Sequence, residues 1–256
     1  MTQAREQAAP EIDEIDVQDE LSAEAEELEV EIEVAGSVRG VAGASAQREF
    51  ERRRDKRAQR VREKYPKLGG LLLILVEDPQ STKAWGKGAK GEQAVGAKLE
   101  QLAANGLEVL HDRRIPGTRA NIDHIAVSTT GVHVIDPKRY KGKVERRDVS
   151  GFFQEKDERL FVGGRDRSKL VEGVLWQMER VQSAIADALP GLEIPVTGTL
   201  CFVDAEWSLF QRPMTFSGVT VLRPKELMKV LEKPGGLSPE QVKQLADILA
   251  AKFPPA

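Results

Sequence analysis

Cysteine and histidine are almost absent: one cysteine, Cys201, and three histidines in 256 residues. A single thiol rules out a disulfide within the chain and accords with a reducing cytosol. So small a set also argues against a structural zinc site. Aromatic residues make up only 5%. Long apolar runs are missing too. Leu71 to Val76 falls far short of the roughly 20 residues a spanning helix needs, and it reads as a short buried segment. The N-terminus lacks a basic-then-apolar signal pattern, so the expected location is cytoplasmic with no membrane span. There is no P-loop and no internal repeat. Gly86-Lys-Gly88-Ala-Lys-Gly91 matches G-x-G-x-x-G literally, but no strand feeds into it and a βαβ context is missing, which argues against a dinucleotide site.

Charge is plentiful and segregated. The net charge of -3 hides an acidic stretch, Glu6 to Glu33, followed by a stretch rich in arginine and lysine, Arg48 to Lys67. Local patches decide nucleic-acid binding, so a mildly acidic total does not exclude it. Residues 1–46 read as a disordered acidic arm, because small and acidic residues cannot build a core. The alternation Leu28 to Val34 is compatible with a strand added to a partner, and the acidity with a nucleic-acid mimic that covers the chain's own basic surface. A solvated tail is the simplest reading. Residues 47–83 read as a basic helix ending near Pro66, then an apolar connector. Residues 84–256 alternate helix and strand patterns. Helices are expected near 88–104, 166–189, 224–232 and 238–252. Strands are expected near 107–115, 121–128, 131–139, 143–147, 159–163, 196–204 and 219–222. Ser238-Pro-Glu-Gln241 gives the last helix a capping box with proline at its first position.

The chemistry concentrates in Asn121 to Lys138, where two apolar runs flank a turn at Gly131. Side chains alternate along a strand. Asp136 and Lys138 therefore share a face with Val132 and Val134, and Asp123 shares one with Ile125 and Val127. Asp123 and Asp136 supply the hard oxygens that magnesium or manganese prefers, with the Pro137 carbonyl and a phosphate oxygen as further donors. Such an ion would activate a water and neutralise charge on phosphate, and Lys138 would stabilise the transition state. Glu92 shares a helical face with Val95, Leu99 and Leu102. As a first-turn acid it also favours the helix dipole. Gln177 flanks the stripe Val174, Met178, Val181, Ile185. Arg139, Lys141 and Lys143, then Arg165 and Arg167, are candidate phosphate contacts; such contacts position nucleic acid without reading its sequence. His124 and His133 alternate away from the aspartates, and Cys201 lies in an apolar strand and is expected to be inert.

The elements Gly88-Ala-Lys-Gly-Glu92, Asn121-Ile-Asp-His124, Asp136-Pro-Lys138, Lys141-Gly142, Gly163-Gly-Arg-Asp-Arg167 and Trp176-Gln177 together resemble the nuclease-related domain (NERD) family of the PD-(D/E)XK nuclease superfamily. The resemblance covers roughly residues 84 to 205. It departs at Asp136, where many relatives carry glutamate, and at Pro137, which removes a backbone donor and is tolerated at an edge, bulge or strand end. The resemblance implies an α/β, restriction-endonuclease-like mixed sheet flanked by helices. It also implies metal-dependent hydrolysis of nucleic-acid phosphodiesters, most readily DNA. Glu92, Asp123, Asp136, Lys138 and Gln177 would be catalytic, and Asp123 and Asp136 the metal ligands. The alternative is a catalytically weak or inactive nucleic-acid-binding or assembly module on the same fold.

Overall fold

The two apolar runs on either side of Gly131 do form a hairpin, β2 (Asn121–Ser128) and β3 (Gly131–Lys138), with register from His124–Ile135 to Ser128–Gly131. Gly131 has a φ of 123° and lies against the Pro195 carbonyl, so a side chain there would meet backbone. The computed structural model describes residues 38–66, 73, 78–151 and 155–256. The stretch 1–37, most of the expected acidic arm, lies outside these residues, as do residues 67–72 and 74–77 of the apolar connector. The rest of the fold belongs to the unit Val38–Ala256.

The hairpin is extended on both sides. β1 (Glu108–Arg114) pairs antiparallel with β2, while β7 (Val196–Phe202) runs parallel to β3 and β9 (Val219–Leu222) parallel to β7. β8 (Met214–Phe216) closes the far edge, giving a mixed six-stranded sheet of order β1-β2-β3-β7-β9-β8. A separate small sheet joins β4 (Val144–Asp148), β5 (Glu158–Val162) and β6 (Arg165–Asp166).

Alternation gives the sheet two apolar faces. Ile125, Val127, Val132, Val134 and Leu200 join one buried cluster, with Val174, Val181 and Ile185 of α3 (Ser168–Ala188) and Val242, Leu245 and Leu249 of α5 (Pro239–Lys252). Val109, Ala126, Ile135, Cys201 and Leu222 join the other, with Val95 and Leu99 of α2 (Gln80–Ala103) and Leu227 and Leu231 of α4 (Pro224–Leu231). Each fully buried aliphatic side chain stabilises by about 1.5–3 kcal/mol. α1 (Ala44–Lys64) packs on α2. Among the described residues the protein is thus an α/β mixed sheet flanked by five helices. The capping box is present: Gln241 N donates to Ser238 Oγ at 3.3 Å, and Ser238 N donates to Gln241 Oε1 at 2.8 Å.

Three features differ from expectation. α2 begins at Gln80, not near Gly88, so the expected boundary between connector and domain at residue 84 falls inside it. Its glycines allow close packing. A Cβ on Gly86 would sit 3.1 Å from the Phe50 ring, and one on Gly91 would sit 3.2 Å from Arg139 Cβ. Residues 38–46, counted with the arm, pack on the domain. Arg39 pairs with Glu108 at 2.5 Å, and a Cβ on Gly43 would meet the Ala89 carbonyl at 2.9 Å. β8 is too short to show a period.

Arg113 is completely buried. Its Nε, Nη1 and Nη2 donate to the carbonyls of Phe253 (2.6 Å), Val38 (2.6 Å) and Ala250 (2.9 Å). A guanidinium taken out of water needs such partners.

Candidate active site

The β2–β3 ladder stops at His124–Ile135. Continued by one step, the same register sets Asp123 across from Asp136, beyond the last pair. β3 itself runs on beside β7, with Asp136 opposite Leu200, Pro137 opposite Cys201 and Lys138 opposite Phe202. Pro137 therefore stands past the end of the β2 pairing, where a missing donor is tolerated.

Lys138 Nζ contacts Asp136 Oδ1 and lies 3.9 Å from Asp123 Oδ2. Asp136 is 7% exposed. Glu92, half-buried on α2, comes within electrostatic range of Lys138 and Asp136. Burial lifts the Glu92 carboxyl to about 7; the Lys138 ammonium opposes this, and the Asp112 and Asp136 carboxylates reinforce it. Burial also raises Asp123 well above the usual carboxylate range, against the pull of Lys138 and with further help from Asp136 and Glu92. For Lys138, burial disfavours the charge, but Asp136 and Asp123 outweigh it and hold the ammonium above its ordinary value. Three carboxylates thus crowd one ammonium.

Residues 87–203 match the family model described as nuclease-related domain, NERD. This stretch is similar to a nuclease-related domain. NERD belongs to the PD-(D/E)XK-like nuclease group. No curated protein and no solved structure matches the chain. The NERD stretch opens inside α2 and closes just after β7, so it spans Glu92, Asp123, Asp136, Lys138 and Gln177 and all five basic candidates. α1, α4 and α5 lie outside it.

Gln177 of α3 reaches the start of β2. Its Nε2 donates to the Asn121 carbonyl at 3.3 Å, and its Oε1 is buried without a partner. The basic candidates are dispersed. Arg139 is held by Asp204 at 2.6 Å and Lys143 by Glu145 at 2.9 Å. Lys141 and Arg165 are exposed. Arg167 stacks 4.7 Å from the Tyr140 ring centroid, with its Nε buried and unpartnered.

The donor set suits a hard cation. Asp123 and Asp136 offer carboxylate oxygens that share the Lys138 ammonium. Among the described residues no group of three or more His, Cys, Asp or Glu side chains is arranged to hold a metal. Two carboxylates are nevertheless enough for magnesium, which keeps waters and takes phosphate oxygens for the rest. NERD domains are typically metal-dependent.

The histidines turn to the opposite face, as alternation requires. His124 Nδ1 meets His111 Nδ1 at 2.8 Å, and His111 Nε2 meets Glu100 Oε1 at 2.6 Å. His133 bonds to Ser128, Thr130 and Thr197. Burial pushes all three histidines down, His133 to about 4. Burial raises the Cys201 thiol, which leaves it inert.

One neighbour of the site was not expected from sequence. Asp112 falls at the step the β1–β2 ladder skips, between the His111–His124 and Arg113–Ile122 pairs, with a left-handed φ of 49°. Its carboxylate accepts from Ser45 N (2.5 Å), Ser45 Oγ (2.7 Å) and Asn121 Nδ2 (3.0 Å). It ties α1 to the start of β2. Aspartate tolerates that backbone region better than most residues, but a lone Asp inside a strand pattern carries no signal of it.

Proposed function

We propose that the NERD domain hydrolyses phosphodiester bonds of nucleic acid, DNA first of all, with magnesium or manganese as cofactor. The observation that carries this reading is the cluster at the end of β3: Asp136 and Lys138 on one face, Asp123 beside them, and Glu92 with a carboxyl near neutrality. Asp123 and Asp136 would hold the ion, with the Pro137 carbonyl as a further donor. When bound, the ion polarises the phosphate and a water. Glu92, with a value of about 7, is matched to take a proton from the attacking water near neutral pH. Lys138 places an ammonium where charge builds on the phosphate. Gln177 Oε1, a buried acceptor without a partner, would orient the water.

A second reading, a nucleic-acid-binding or assembly module without turnover, is favoured by one contact. The Lys138 ammonium sits on Asp136 Oδ1, an oxygen the metal would use. A cytoplasmic location belongs to the same proposal, supported by the lone buried thiol. Among the described residues, no helix is long and apolar enough to cross a membrane.

The test is cleavage of labelled linear, circular and single-stranded DNA, with and without magnesium or manganese, alongside calorimetric titration of the metal. Asp136→Ala and Lys138→Ala should each slow cleavage on the order of a hundredfold or more while leaving the melting temperature near that of the parent. Parental cleavage in both variants would remove the site. Nucleic-acid binding without cleavage or metal uptake would select the second reading.

A further inference from the structure

Residues from α1, from α2 and the stretch before it, from the segment after β3 and from the segment after β7 line a basic hollow. It has a volume of about 490 Å³ and takes Phe50 from α1, Lys83, Lys87 and Lys90 from α2, and Arg139 and Lys141 from the segment after β3. The three lysines recur at four and three residues, so they stand on one side of their helix. Two lining residues, Lys90 and Arg139, are close in sequence to members of the cluster at the end of β3. Gly91 lies against Arg139, where a Cβ would come within 3.2 Å of Arg139 Cβ. Lys90 and Glu92 flank Gly91 on the helix, and Arg139 follows Lys138.

The hollow also contains two acids, and both are matched by arginines. Asp78 pairs with Arg57 at 2.7 Å and Arg54 at 3.6 Å, and Asp204 with Arg139 at 2.6 Å. Among the described residues no carboxylate pairs with Lys87, Lys90 or Lys141. Unmatched ammonium groups side by side in one hollow repel each other and favour a polyanion. Phe50 adds an aromatic ring to the lining, packed against Gly86 and with the Arg54 guanidinium 5.6 Å from its centroid. A basic track with an interleaved aromatic platform is the arrangement that binds single strands, with phosphates on the cations and a base on the ring. The volume is that of a small-molecule pocket, enough for a nucleotide or two of one strand. A stacked duplex would ride over the rim.

We infer that this hollow takes the single-stranded nucleic acid adjoining the scissile phosphate, with Lys87, Lys90 and Lys141 on its phosphates and Phe50 under a base. The inference rests on the proposed nuclease reading for its orientation toward Asp136 and Lys138, but its test does not depend on cleavage. Binding of a fluorescein-labelled oligothymidylate and of a hairpin duplex of equal length is measured by anisotropy in EDTA across a salt series. The wild type should bind the single strand more tightly. Lys87→Gln/Lys90→Gln should weaken binding tenfold or more and flatten the salt slope by about 1.4 units, about 0.7 per lost phosphate contact. Acetylation mapping of the wild type provides a readout without mutation: the oligothymidylate should protect Lys87, Lys90 and Lys141. Parental affinity in the double variant, or acetylation at those lysines unchanged by the oligonucleotide, overturns the inference. Tighter binding of the duplex overturns the single-strand assignment. If binding depends on the hollow and the wild type cleaves nothing with metal present, the inference stands and the nuclease reading fails.

Discussion

His133 should make the fold acid-sensitive in a defined window. The imidazole is 3% exposed, and burial holds its pKa at about 4 against an ordinary 6.5. In the native state it accepts or donates within a neutral network of Ser128, Thr130 and Thr197 hydroxyls at 2.8 to 3.1 Å. The unfolded chain binds a proton at this site from about pH 6.5 downward, and the native chain does not until about pH 4. Stability therefore rises with pH across that interval, because the unfolded state holds more protons there. The shift of about 2.5 units, at 1.36 kcal/mol per unit, corresponds to about 3 kcal/mol. That contribution is complete above about pH 6.5 and lost by about pH 4. Glu92 and Asp123 titrate with the opposite sign, so the wild-type profile alone mixes the terms. His133→Gln separates them, since glutamine keeps hydrogen-bonding capacity without a titration. Urea unfolding at steps from pH 8 to pH 4.5 should show the wild type's advantage over the variant shrinking by about 2–3 kcal/mol. A difference that stays constant across the series would falsify the assignment of a buried, neutral His133.

Deleting residues 1–37 should leave the melting temperature unchanged and raise affinity for nucleic acid most at low salt, because every charge from Glu6 to Glu33 is acidic and screening weakens such competition. Extending the deletion to residue 46 should lower the melting temperature by about 5 °C or more, as the Ser45–Asp112 and Arg39–Glu108 contacts are lost; equal melting of the two truncations would contradict the packing of 38–46. Arg113→Ala should cost about 3 kcal/mol or more in a urea titration, since three carbonyls lose their donor in a dry site; a loss under 1 kcal/mol would mean water replaces it. Replacing Arg139, Lys141 and Lys143 together by alanine should weaken DNA binding and flatten the salt slope by about one unit for each cation that touches phosphate. An unchanged slope would move the binding surface elsewhere.

The hairpin that carries the carboxylates was readable because alternation and a glycine turn are local signals. Val132, Val134, Ile125 and Val127 do face one core, and that fixes the side on which Asp123 and Asp136 emerge. The capping box at Ser238 was equally local. The first turns of α2 were not readable. Gly86 and Gly91 weaken a helix by propensity, and only their contacts with Phe50 and Arg139, residues far away in sequence, show why they are there. Asp112 was hidden for a similar reason: its backbone conformation is set by partners on α1 and β2, not by its neighbours. The basic hollow draws on several segments, and the first turns of α2 did not read as part of any site. Charge runs reveal cations, but not which of them already have a carboxylate.

Arg113 has a mechanical consequence. One guanidinium ties the first described residue, Val38, to the last helix through Ala250 and Phe253, while Ala256 N donates to the Asp112 carbonyl at 2.8 Å. Residues 38 and 256 are therefore anchored at neighbouring positions on β1, and the intervening chain forms a nearly closed ring. Tension applied between those two residues would load Arg113 and β1 first. The strand end carrying Asp136 and Lys138, held between β2 and β7, would stay unloaded until that clasp gives way.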